Sequence, residues 1–409
     1  MSSTRTSRVQ RQRPLVAMVL LVRTHRETTT TTRMLPVLLL AAGGSLVFND
    51  DLDTALGAGL MAFRSLVFLA QPSRSWASGI SRAAIWSLDN MYSEEQCWAH
   101  LRFRKADLPL LLQALRLPNV IRIKHASETR RGHHHIFSGM EALVTFLSRM
   151  ATAATWEQQQ LFLGGRARSA YTGAFYHVLH HIWDNYAGCI TDIHRWSAWA
   201  LTFANAAINA GSPAQHCVGF LDGTIRSSCR PSRHQRLAYT GYGRRHGLKF
   251  QTVVSPNGMI TDFFGPVLAR HGDGHMLRVS HLLQRMATFC AAAGGHYYIY
   301  GDSAYPLHQY LLRGLKGVMT PQQQAFCTAM STVRESVEWG YNLIVTLWPL
   351  LDVKRALKFY KTPIALLYSV GALMANVHNC FYGNMVLAFF QKTHDTSLAP
   401  PSAEEYLNA

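Results

Sequence analysis

The order of patterns along this 409-residue chain predicts a mixed α/β fold: a β-sheet carrying helices, preceded by an all-helical region. Three observations carry that expectation. From about Ser93 to residue 205 the apolar residues recur at helical spacing. After about Ala210, short runs of β-branched and aromatic residues end in turn residues. Beyond them strand and helix patterns alternate, which places helices on a sheet. Hydrophobic residues make up 48% and charged residues 15%, which excludes wholesale disorder.

In the helical region Leu101, Leu108, Leu111, Leu112 and Leu115 share one face, and Pro118 ends the run. A basic loop follows, with Arg122, Lys124, Arg130, Arg131 and His133 to His135. Ser138 reads as an N-cap with Glu141 three residues on, opening a helix through Met150. Helices over 156–163 and 169–183 flank Leu163-Gly164-Gly165-Arg166, a spacing that suits a helix-turn-helix corner as well as an ordinary helical hairpin. Strands are expected at 216–222, 248–254 and 259–266, the last two joined by Ser255-Pro256-Asn257-Gly258. A helix over 275–293, a strand over 296–301, a short helix near 307–315 and a long helix over 331–351 complete the pattern. The segments are therefore 1–90, a poorly defined basic and apolar extension; 91–205, helical; 210–390, the sheet domain; and 391–409, a tail.

The net charge of +17 points to a polyanionic partner, nucleic acid ahead of an anionic membrane. Seven scattered cysteines without paired spacing suit a reducing compartment, not a disulfide scaffold. The Arg- and Thr-rich leader has the composition of a transit peptide, and the apolar stretch 34–48 is shorter than the roughly 20 residues of a membrane helix. A poorly ordered extension is the preferred reading, and no membrane role is expected.

The chemistry is expected at two aspartates, Asp222 and Asp302, each closing an apolar run and followed by small residues. Hard oxygen ligands at neighbouring strand ends suit Mg²⁺. An acid on the last long helix would complete the ligand set of two-metal phosphoryl transfer. Glu338 falls about 100° from the centre of the face made by Val333, Val337, Tyr341, Ile344, Trp348 and Leu351. Glu335 points to solvent, and a capping box with Thr332 accounts for it, so Glu338 is preferred and Glu335 is the alternative. A strand-end Asp-Gly is also an ordinary turn. Between the aspartates Arg226, Arg230, Arg233, Arg236, Arg244, Arg245 and Lys249, with Tyr239 and Tyr242 among them, suit a nucleic-acid backbone.

The strings GFLDGT, YTGYGRRHGLKFQ, GPVLARHGDGHML, IYGDSAYP and VRESVEWGYN together resemble the DDE-type transposase domain of the PIF/Harbinger group, which includes harbinger-derived nuclease-like proteins. The resemblance covers about 216–385, and more loosely the helical segment from about 93. It implies an RNase H-like sheet in which Asp222, Asp302 and Glu338 hold two Mg²⁺ ions, with Mn²⁺ as a substitute. It further implies DNA as substrate, assembly of several copies on DNA, a nuclear location, and a separate Myb-like DNA-binding partner. The implied activity is a metal-dependent endonuclease or transposase; a catalytically silent DNA-binding descendant is the alternative. Arg270-His271-Gly272-Asp273 resembles the family's glycine-and-aspartate turn with different spacing, so Asp273 is given no role, and neither are Arg334 and Asn342.

Overall fold

The computed structural model describes residues 86–124, 134–241, 243–391 and 397–408. The leader, the apolar stretch 34–48, most of the basic loop and Tyr242 lie outside these residues, and with them the transit-peptide and anchor readings.

The first part is helical: α1 (Leu88–Met91), α2 (Glu94–Leu101), α3 (Leu108–Ala114), α4 (Gly139–Ala151), α5 (Trp156–Leu163), α6 (Arg168–Tyr186), α7 (Gly188–Thr191) and α8 (Ala200–Asn209). A hairpin of β1 (Val120–Lys124) and β2 (His134–Ser138) interrupts it. Ser138 caps α4 as expected, its hydroxyl accepting from the Glu141 N–H at 3.1 Å. The Glu141 side chain does not close a capping box. It turns inward to the corner between α5 and α6, where Gly164 and Gly165 take φ of +93° and +78°. There Arg166 meets it with two parallel bonds, Nε to Oε1 at 2.6 Å and Nη2 to Oε2 at 2.9 Å. The same guanidinium lies 4.4 Å from the Phe137 ring centroid. The basic residue of the helix-turn-helix-like corner thus faces the core.

The sheet contains β3 (Cys217–Ser227), β4 (Tyr239–Thr240), β5 (Arg245–Val254), β6 (Ile260–Leu268), β7 (Tyr298–Gly301) and β8 (Leu311–Arg313). Its order is β6-β5-β3-β7-β8, with the short β4 also pairing β5. β5 runs against β3 and β6, while β7 and β8 run parallel to β3. Four further helices follow or separate the strands: α9 (Gln235–Ala238), α10 (Asp273–Ser280), α11 (Leu282–Ala293) and α12 (Pro321–Leu347). The chain closes with α13 (Ile364–Tyr382), α14 (Met385–Phe390) and α15 (Ala403–Asn408). α8 and α12 pack against β3, and the buried apolar residues form one continuous core from Tyr92 to Leu407.

Three expectations about elements are corrected. The short helix near 307–315 is a strand: Leu311 pairs with Ile299, so the open edge of β7 supplies hydrogen bonds that outweigh local helical preference. The helix over 275–293 is two helices, broken where His281 takes φ of +54°, with no glycine or proline to announce it. The long helix begins at Pro321, ten residues early, behind a capping box of Thr320 and Gln323. Thr332 therefore sits inside it, donating to the Thr328 carbonyl at 3.1 Å, and the capping-box account of Glu335 falls.

By length and composition α13 could cross a membrane, yet it is largely buried within the protein and carries asparagines at its inner face. Asn376 accepts from the Ile260 N–H and donates to the Ile260 carbonyl, each at 2.8 Å, as a neighbouring strand would. Asn379 donates to the Asn257 carbonyl at 3.0 Å and Asn384 to the Gly258 carbonyl at 2.9 Å. Together they close over the β5–β6 turn, whose Gly258 has φ of +76°. Asn376→Ala leaves the Ile260 N–H and carbonyl without this partner and is expected to lower stability by about 2–4 kcal/mol. A urea titration reads this directly; an unchanged midpoint would mean that the clamp adds nothing to stability.

Candidate active site

Asp222 and Asp302 are brought together by strand register. Leu221 of β3 is paired in parallel with Gly301 of β7, so Asp222, inside β3 rather than at its expected end, and Asp302, just past the end of β7, are backbone neighbours. Neighbouring strands lie roughly 4.8 Å apart, which sets the backbones of the two aspartates side by side. Asp222 is half-buried, and Asp302 is exposed, its Oδ1 accepting from the Ser303 N–H. Burial pushes the Asp222 carboxyl up to about 6; the charges of Asp273 and Glu338 push the same way, and Arg334 opposes them.

The long helix is fixed to this edge by a hydrogen-bonded relay. The Tyr341 hydroxyl donates to the Asp222 backbone carbonyl at 2.6 Å and accepts from the Thr252 hydroxyl at 2.6 Å. Glu338 stands one turn earlier on α12. Its side chain is 59% exposed and leans toward Arg334, 3.7 Å away, while Arg334 is only 19% exposed. Glu335 is exposed.

Two residues that the sequence reading left without a role belong to the neighbourhood. Asp273, at the start of α10, places Oδ1 2.4 Å from where a Cβ on Gly223 would stand, so a side chain at 223 would displace that carboxylate. Lys249 holds it at 2.7 Å. Arg334 acts on Asp222 from one turn below Glu338. The signal for Asp273 was the pairing of a small residue just after Asp222 with an acid between two glycines. For Arg334 it was the i, i+4 spacing to Glu338.

Of the seven basic residues, Arg230, Arg233, Arg236 and Arg244 are exposed, with Arg230 Nε bonded to Gln235 at 2.9 Å. Arg226 and Arg245 are half-buried, and the Arg226 guanidinium lies 4.8 Å from the Tyr368 ring centroid. Lys249 is buried and taken by Asp273.

The oxygen donors at this edge are of the type that binds a divalent cation; the Asp222 carboxyl is raised first by burial, with the charges of Asp273 and Glu338 adding to it. Among the described residues, however, no three His, Cys, Asp or Glu side chains converge as a metal-holding group. A three-carboxylate ligand set requires Glu338 to leave Arg334 and turn inward.

No curated protein and no solved structure matches the chain significantly. One finding stands from the comparison with protein families: residues 221–378, less than half of the chain, match the DDE superfamily endonuclease model, and both aspartates and Glu338 fall within that match. This segment of the chain is thus similar to the endonuclease domain of the DDE superfamily.

Proposed function

We propose that the chain is a divalent-metal-dependent DNA endonuclease of the transposase type, with an RNase H-like nuclease domain over 210–390. The observation that carries the reading is the register of the paired parallel strands β3 and β7, which makes Asp222 and Asp302 backbone neighbours. The sheet order, with β5 alone antiparallel among its five principal strands, supports the RNase H-like assignment. The family match and the quoted motifs support the transposase type, and the motifs favour its PIF/Harbinger branch.

Asp222, Asp302 and Glu338 would hold two Mg²⁺ ions, with Mn²⁺ as substitute, which would supply charge neutralisation for in-line attack by water or a 3′-hydroxyl. The chain's own residues do the placing. Tyr341 ties α12 to β3, Lys249 fixes Asp273, and Arg334 offsets the carboxylate charge. The exposed arginines 230, 233, 236 and 244 would hold the DNA backbone, with Arg226 and Arg245 in the same stretch of chain. Nuclear location, assembly of several copies on DNA and a Myb-like partner belong to this proposal through the resemblance.

The test is cleavage of a duplex carrying the flanking ends of the chain's own gene, in Mg²⁺ or Mn²⁺ and in EDTA. Metal-dependent nicking that EDTA abolishes is the expected outcome. Binding without cutting, once a Myb-like partner has been supplied, would favour a second reading: a DNA-binding protein that keeps the fold. One observation supports that alternative, the outward lean of Glu338 against Arg334.

A further inference from the structure

A second basic segment stands beside the first. Residues 354–361, between the long helix and α13, contain Lys354, Arg355, Lys358 and Lys361 and no acid. All four cations are exposed, and among the described residues none is ion-paired with a carboxylate. The segment is nevertheless held in place. Leu357 is buried, its N–H donates to the Lys354 carbonyl at 3.1 Å, and the Thr362 hydroxyl donates to the Ala356 carbonyl at 2.8 Å. Two bonds join it to the strand that carries Asp222. Cys229, two residues past the end of β3, donates its N–H to the Leu357 carbonyl and its thiol to the Lys354 carbonyl, each at 2.9 Å. The exposed Arg230 follows at once. Asp222, Thr224 and Arg226 alternate onto one face of β3, and there the Arg226 guanidinium lies over Tyr368 of α13. Tyr360 projects from the same segment, 68% exposed and with φ of +65°. A bulky residue held in the left-handed region is strained, and such strain clusters at ligand sites.

We propose that residues 354–361 and the segment from Arg226 to Arg236 form one surface for a DNA strand. Lys354, Arg355, Lys358 and Lys361 contact phosphates, and Tyr360 stacks on an unpaired base. Cations without acid partners, presented by an ordered segment, attract a polyanion, and an exposed ring among them accepts the face of any base. That the polyanion is DNA rests on the nuclease reading. A lipid surface would match the charge, but not the link to the strand of Asp222.

The test is binding in EDTA, where cleavage plays no part, of a duplex of about 20 base pairs with a single-stranded tail of about ten nucleotides. Lys354→Gln, Arg355→Gln, Lys358→Gln and Lys361→Gln together should weaken binding at least about tenfold in roughly 150 mM salt. The slope of log affinity against log salt should become shallower by about two or more. Tyr360→Gly relieves the left-handed strain, so it should melt at or above the wild-type temperature while binding about fivefold more weakly. Wild-type affinity and slope in the quadruple variant would overturn the proposal and leave the nuclease reading intact. Should the quadruple variant melt lower than wild type, Tyr360→Gly decides: weaker binding by a folded protein sustains the surface, and wild-type binding overturns it. Lost affinity for phosphatidylserine vesicles with DNA affinity unchanged would overturn it in favour of a membrane. If wild type binds the duplex but does not cut it in Mg²⁺, the nuclease reading fails and the same affinities still decide the surface.

Discussion

Asparagine at position 222 is expected to lower strand cleavage by at least about a thousandfold, a barrier increase of about 4 kcal/mol, while DNA binding persists. Asp302→Asn should behave alike, because the two aspartates are neighbours on the paired strands β3 and β7 and neither replaces the other. The stability of Asp222→Asn makes the experiment sharper. The Asp222 carboxyl is raised in the folded chain to about 6, mainly by burial. The folded state therefore holds this proton more tightly than the unfolded chain does. Its stabilising effect is full below about pH 4 and is lost as pH rises through about 6. At neutral pH the ionised group costs at most about 3 kcal/mol, and a neutral amide removes that cost. In EDTA the variant should melt at or above the wild-type temperature at pH 7, with the advantage shrinking toward pH 4.5. Added Mn²⁺ should raise the wild-type melting temperature and leave the variant's where it was. Loss of cleavage together with a lower melting temperature in EDTA would instead make Asp222 a folding residue.

The second large effect lies in the helical part. Glu141→Ala is expected to destabilise the protein by about 3–5 kcal/mol, because it strands the Arg166 guanidinium in the core. The two side chains are 2% and 8% exposed, so water does not replace the lost partner. Burial pushes the Glu141 carboxyl up and Arg166 pulls it down, the balance expected of a carboxylate that only its partner keeps charged. A fall in melting temperature of roughly ten degrees would follow. Replacing both residues with apolar ones of similar volume, Glu141→Leu with Arg166→Met, should recover most of it. The pair also bears on the helix-turn-helix reading. If Arg166 served DNA, Arg166→Met in the double variant would weaken binding while stability recovered. A recovered fold with undiminished binding would leave Arg166 a core residue.

What was legible in the sequence was local chemistry. Ser138 with Glu141 marked a helix start because a side-chain oxygen satisfies an orphan N–H at a fixed spacing. Asn257-Gly258 marked the β5–β6 turn because the turn needs φ above zero at Gly258. Asp222 and Asp302 stood out because each ends an apolar run, and register does bring them together. What was hidden depends on partners far away in the chain. Leu311 to Arg313 form a strand only because β7 offers an edge. His281 breaks a helix with a residue that can enter the left-handed region but does not advertise it. Asp273 looked misplaced until Gly223, fifty residues earlier, proved to leave room for its carboxylate. The outward lean of Glu338 was legible only as a position at the border of a face, since spacing fixes a direction and not a rotamer.

The asparagines that close over the β5–β6 turn have a consequence for how the protein is made. The ribosome delivers Asn376, Asn379 and Asn384 after every strand of the sheet has been synthesised. Until they leave the exit tunnel, Ile260, Asn257 and Gly258 must keep water as their partner, and β6 lacks its finished border. Both aspartates therefore leave the ribosome well before the scaffold that fixes them is complete. A premature stop between codons 339 and 375 yields a polypeptide with every strand of the sheet and no asparagine clamp over the β5–β6 turn.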